Sequence, residues 1–190
     1  MTGPPRLPLL PPADAVAAAA TVGVSSAAAN LNVFRAWLHH PELAGWMHEL
    51  LMGLLWKGKL DKRLRELVIM RVGWTTGSVY EWTQHWGIAT SWLELDADDL
   101  LATRDWQASD RFGAAERAIL AATDETVASG TVTDATWAAC RDDIGDSPEI
   151  LLEVVAVIGV WRMVSSALRS LEIPLEDGVA PWPPDGLSPP

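Results

Sequence analysis

With 190 residues and 49% hydrophobic content, the chain is long and apolar enough for one ordinary domain with a sizeable core, which excludes a disordered chain. Its formal net charge of −11 argues against nucleic acid and anionic membrane surfaces as partners, since both attract cationic proteins. A single cysteine, Cys140, excludes an intramolecular disulfide, a Cys-x-x-Cys redox pair and a cysteine-rich zinc site.

The first segment, MTGPPRLPLLPP, carries one arginine and five prolines, which keep it from forming the apolar helix of a signal peptide. The longest apolar run, VVAVIGVW at 154–161, falls short of the ~20 residues a membrane span needs, so a cytoplasmic protein is expected. Both ends are proline-rich and expected to be extended, over residues 1–12 and 173–190. Between them one helical domain is expected, with its core at about 25–172.

NLNVFRAWLHH (30–40) repeats apolar residues at Leu31, Phe34 and Leu38 and stops at His40-Pro41. A wide apolar stripe then runs from Pro41 to about Trp56, until Gly58 ends it. Asp61 suits the N-cap of a helix over KRLRELVIMRVGWTTG, which Gly77 breaks. Ser78 is placed to cap the next helix, with Glu81 at the spacing of a capping box. LELDADD reads as an acidic turn, followed by helices at about 110–129, 133–144 and 147–171. Cys140 sits at helical spacing from Trp137 and Ile144, as a small buried thiol would. No segment sustains period-two alternation, so the fold class is all-α, with antiparallel helices joined by short loops.

The chemistry concentrates in TTGSVYEWTQHWGIA (75–89). At ~100° per residue, Ser78, Glu81, Trp82 and His85 share one helix face, which continues into Ile88, Ala89 and Trp92. Tyr80 points away and Trp86 flanks the stripe. Glu81 and His85, four residues apart, are within reach of each other, and a carboxylate beside an imidazole raises its pKa and fixes its tautomer. Glu66 lies 11 residues before Gly77 and His85 lies 8 after it, so antiparallel packing across that turn brings a second carboxylate toward the ring. The bland alternatives are a surface ion pair, an ordinary capping box and core tryptophans. A charged dyad within an apolar stripe is unusual for a solvated face.

His39 and His40 end a helix, where a cation suits the dipole, and His48 stands alone among Trp, Met and Leu. No H-E-x-x-H, H-x-x-E-H, GxGxxG or GxxxxGK[ST] spacing occurs, so no metal, nucleotide or other cofactor is expected.

RLRELVIMRVGWTTGSVYEWTQHWGIA resembles the signature of the carboxymuconolactone decarboxylase and alkylhydroperoxidase D-like (AhpD-like) superfamily. FRAWLHHPEL, LLWKGKLDKRLRELVIMR, AERAILAATDE, GTVTDATWAA and SALRSLEIPLEDG extend the likeness in order over about residues 30–178. The resemblance implies an AhpD-like helical bundle assembled as a homo-oligomer, a dimer, trimer or hexamer, with its pocket beside the motif helix. Peroxidase members carry a relay Glu followed by Cys-x-x-Cys-x-x-x-His. Carried over residue by residue, the Glu falls on Glu66, the cysteines on Ser78 and Glu81, and the His on His85. A serine hydroxyl forms neither a sulfenic acid nor a disulfide, so peroxide turnover does not carry over.

What is left is a set of proton-transfer groups, which leads to a cofactor-independent acid–base enzyme acting on a small, largely apolar molecule by decarboxylation, isomerisation, dehydration or cyclisation. His85, Glu81, Glu66 and Ser78 are its expected catalytic residues, and Trp74, Trp82, Trp86, His48 and Tyr80 its expected substrate walls. A dicarboxylic lactone would want cationic anchors, for which Arg63, Arg65 and Arg71 are candidates, although helix arginines are more often solvated. A non-catalytic binding or scaffold member would instead expose the Glu81–His85 pair, with no cavity beside it. A residual peroxidase would need a thiol near His85, and Cys140 is the only candidate.

Overall fold

The computed structural model describes residues 4–181, 185, 187 and 189, and no strand occurs among them. The chain divides into two compact units. One holds the residues up to Lys57 together with Ala167–Pro181, and the other is built on Gly58–Ser166.

The first unit contains α1 (Pro12–Ala20), α2 (Ser26–Ala29), α3 (Asn32–Trp37) and α4 (Pro41–Met52), with a π turn at Gly53–Lys57. The sequence reading missed α1 and α2 because alanine-rich stretches show no stripe of large apolar residues; Ala15 and Ala19 alone mark the buried side of α1. Residues 4–11 of the proline-rich lead-in form no helix, Pro12 already opens α1, and the segment is pinned in place. Arg35 Nε donates to Leu10 O at 2.8 Å, and Leu10 N donates back to Arg35 O at 3.1 Å. Asn32 Nδ2 donates to Pro174 O and Leu175 O at 3.2 and 3.1 Å, which ties down the segment after the last helix. His40 does not serve a helix end. Its ring accepts from Leu43 N at 3.3 Å, so it caps the start of α4, while His39 meets Pro8 O at 2.7 Å. The expectation of an extended tail at 182–184, 186, 188 and 190 lies outside the described residues.

The second unit is organised around α5 (Lys62–Thr75), which is buried on nearly every side. Asp61 caps it as its position predicts, accepting from Arg63 N and Leu64 N at 2.9 and 3.1 Å. Gly77, at φ 66°, makes the sharp turn into α6 (Val79–Gly87), a conformation that glycine adopts without a Cβ penalty. The two helices press together at Gly73, where a Cβ would meet Trp82 N at 3.3 Å. A π turn at Ile88–Trp92 follows. It rotates the chain relative to a continuous α-helix, so Ala89 is buried while Trp92, expected on the apolar stripe, is 73% exposed.

Asp96 then caps α7 (Ala97–Ala102), a short helix hidden in what reads as an acidic turn. α8 (Ala114–Ser129) packs against α5, and α9 (Asp134–Asp143) packs against α8, close to the expected spans. Cys140 is fully buried and donates to Ala118 O at 3.6 Å, and burial pushes its thiol up to about 11. α10 (Pro148–Leu171) begins at the expected Pro148. Its most apolar 18-residue stretch has mean hydropathy 1.8, enough to cross a membrane by length and composition alone. In the second unit its inner face of Val154, Val157, Ile158 and Trp161 is buried, as in a core helix, which passes the same test.

Candidate active site

The Gly77 turn sets α5 and α6 side by side and brings Glu66 to His85, as the spacing anticipates. Nδ1 of the ring donates to Glu66 Oε2 at 2.8 Å. On the far side of the ring, Nε2 lies 3.7 Å from Glu81 Oε2. Arg65 completes the group, reaching Glu66 Oε1 at 3.2 Å through both Nε and Nη2. Exposure is 0% for Glu66, 2% for Arg65 and 6% for Glu81 and His85, so this is a buried ionic cluster and not a surface pair. Arg65 therefore departs from the solvated reading of helix arginines. Arg63 and Arg71 are also committed, Arg63 to Glu116 and Asp99 at 2.6 and 2.9 Å, and Arg71 to Asp124 at 2.5 Å.

The electrostatics of the two titrating groups differ. Burial works against charge on His85, but attraction to Glu66, its hydrogen bond and a smaller pull from Glu81 outweigh burial and hold the pKa above the usual imidazole range. Burial pushes Glu81 above the usual carboxylate range, opposed in part by His85 and by a hydrogen bond from Trp161. A ring that favours its proton thus faces a carboxyl group that also favours one.

Ser78 occupies the N-cap position of α6, but the expected capping box does not form. Its N–H donates to Gly73 O at 2.8 Å, and its buried Oγ has no hydrogen-bond partner among the described residues. Glu81 is accordingly turned toward His85. A buried hydroxyl left unpaired is costly, and such groups recur where a ligand supplies the missing partner.

Trp74 and Trp82 meet edge to face with centroids 5.7 Å apart, and Trp82 stacks on the half-buried Trp86 at 6.5 Å. Tyr80, expected to point away, is buried as well, because α6 is covered on more than its apolar stripe. His48 belongs to the first unit, where it packs edge-on against Phe34 with centroids 5.6 Å apart. There it lines a cavity of about 490 Å³ with Val22, Trp46, Glu49 and Met52, and burial lowers its pKa. A second cavity, of about 420 Å³, lies along α8 and α9 beside Trp106 and Ala139. Neither is lined by Trp82 or His85. No group of three His, Cys, Asp or Glu side chains suited to a metal occurs among the described residues.

One site residue escaped the sequence. Trp161 of α10 points its Nε1–H at His85 Nε2, 3.3 Å away, with the rings edge-on at 83°. The only signal for it was the inward stripe of VVAVIGVW, which reads simply as core.

Residues 41–125 match the model of the carboxymuconolactone decarboxylase family, a segment that contains Glu66, Ser78, Glu81 and His85. No curated protein matches the chain in sequence. Among solved structures, an uncharacterized peroxidase-related protein from Ralstonia eutropha with an AhpD core is 20% identical, with TM-score 0.70, over 96% of this chain and 100% of that one. A putative antioxidant defence protein AhpD from Agrobacterium tumefaciens is 18% identical, with TM-score 0.64, over 73% and 94%. A debrominase in complex with 2,3,4-tribromopyrrole is also 18% identical, with TM-score 0.67, over 77% and 76%. At these identities the likeness to solved structures is one of fold. The chain thus matches the carboxymuconolactone decarboxylase family over residues 41–125, just under half of its length, and shares the helical fold of AhpD-like structures, while its single cysteine leaves it no Cys-x-x-Cys pair.

Proposed function

We propose that the chain is a cofactor-independent acid–base enzyme that removes a proton from, and returns one to, a small and largely apolar molecule. The observation that carries this reading is His85 held between two buried carboxylates, Glu66 on Nδ1 and Glu81 near Nε2. Glu66 orients the ring and stabilises its charge, as the carboxylate partner of a catalytic histidine does. His85 Nε2 and the Glu81 carboxyl are the groups that exchange protons with substrate. Ser78, with its unpartnered hydroxyl, donates to a substrate carbonyl or developing enolate. Trp82 and its neighbours Trp74 and Trp86 exclude water from the pair. Tribromopyrrole, bound by the debrominase of the same fold, is a small apolar ring, which supports a substrate of that size and polarity.

Hydrogen–deuterium exchange at carbon tests the reading. A panel of lactones, unsaturated acids and halogenated aromatic rings is incubated with the chain in D₂O and followed by mass spectrometry. Wild type is expected to incorporate deuterium into at least one compound, and His85→Gln and Glu81→Gln to slow this about tenfold or more with the fold intact. Wild-type rates in both variants overturn the assignment.

One observation favours a second reading, a non-catalytic binding or scaffold member: neither cavity reaches His85. That reading expects no exchange into any compound, and retained binding of small ligands in the His85→Gln variant.

A further inference from the structure

Trp161 lies outside residues 41–125, so the family match assigns it nothing. It is 1% exposed and shares the inward side of α10 with Val154, Ile158 and Ser165. Its single N–H has two acceptors within reach, His85 Nε2 at 3.3 Å and the Glu81 carboxylate. An indole N–H donates and never accepts. It therefore serves each acceptor best when that acceptor holds no proton.

We infer that Trp161 is a positioning residue whose N–H is shared between His85 Nε2 and the Glu81 carboxylate, and that it keeps this pair able to accept a proton. The inference rests on the acid–base reading of the site. The other groups around the pair act mostly the opposite way. Burial favours the neutral acid form of Glu81, and Glu66 from α5, with a smaller pull from Glu81, favours the imidazolium by enough to outweigh burial of the ring and the weaker opposition of Arg65. A fully protonated pair contains no base.

Trp161 shifts that balance because removing a proton from either partner creates a lone pair or anion for its N–H. When Nε2 is free, it accepts the indole N–H while Nδ1 keeps its proton on Glu66. When a proton arrives at Nε2, the N–H turns to Glu81, and the charged ring and carboxylate pair across 3.7 Å. No atom of Trp161 changes protonation.

NMR titration of the full chain tests this. His85→Gln identifies the His85 ring signals among the four histidines, and Trp161→Phe identifies one indole N–H among the eleven tryptophans. In wild type, the Trp161 indole signal is expected to titrate at the same midpoint as the His85 ring. Trp161→Phe keeps an aromatic ring but removes the donor. It is expected to raise the proton affinity of the pair by about two- to tenfold, the worth of one hydrogen bond to the less protonated state. An unchanged midpoint, or an indole signal indifferent to the His85 titration, overturns the inference. Should Trp161→Phe fail to fold, the indole N–H with a cross-relaxation contact to the His85 ring is followed in wild type alone. A raised midpoint together with wild-type carbon exchange in His85→Gln overturns the acid–base reading and leaves the donor role standing. An unchanged midpoint together with lost exchange in His85→Gln does the reverse.

Discussion

Glu66→Gln removes one charge while keeping nearly the same shape, and the structure makes its cost large. Glu66 is the only carboxylate between Arg65 and His85, at 3.2 and 2.8 Å, and all three side chains are at most 7% exposed. The variant strands a buried guanidinium, which glutamine's carbonyl solvates without neutralising. Removing one partner of a buried ion pair costs about 3–5 kcal/mol, against ~0–1 kcal/mol for a surface pair. For a chain of this length that lowers the thermal midpoint by roughly 6–20 °C. Denaturant unfolding of wild type, Glu66→Gln, Arg65→Met and the double variant at pH 7 measures it. The double variant is expected to lose less than the sum of the single losses, because its cation and its anion leave together. A Glu66→Gln loss below about 1 kcal/mol, with additive doubles, would refute a buried, coupled cluster.

Three further outcomes follow from the same structure. His85 has a raised folded pKa, so its contribution to stability is complete below the unfolded value of 6.5 and is lost as pH rises through the folded value. Glu81, also raised, acts with the same sign from 4.5 upward. About one unit above pH 6.5 and beyond, the lowered His48 is neutral in both states, so unfolding free energy there is expected to fall with rising pH, at no more than about 1.4 kcal/mol per unit for each proton. The His85→Gln and Glu81→Gln double variant should flatten that slope, and an unaltered slope would contradict the assignment. Cys140, buried with its thiol at about 11, should resist peroxide and thiol reagents until the chain unfolds, whereas oxidation of the native chain would revive a peroxidase role. Leu152 and Met163 leave an apolar outer side on α10, and light scattering is expected to find a homo-oligomer; a single-chain mass contradicts that.

The sequence revealed most where structure is decided locally. Asp61 and Gly77 announce their cap and turn through side-chain and backbone chemistry within a few residues, so α5 and the start of α6 were legible. The Glu66–His85 contact was legible too, because a tight turn fixes which residues of two adjacent helices meet. The burial of Arg65 was not. Its charge predicts solvent, and only the tertiary position of α5, enclosed on nearly all sides, overrides that. Trp92 was misplaced because a π turn changes the residues per turn without a propensity signal. Trp161 was invisible as a site residue because its partner lies 76 residues earlier, and an inward tryptophan on an apolar helix ordinarily means packing.

The most direct measurement is the titration midpoint of His85 in the wild-type chain and in Glu66→Gln, followed by ¹⁵N resonances of the ring. A histidine held between two buried carboxylates should titrate above 6.5 and show a proton on Nδ1 in its neutral form, and the midpoint should fall in Glu66→Gln. A wild-type midpoint at or below 6.5, unchanged when Glu66 loses its charge, would contradict a proton relay at this site.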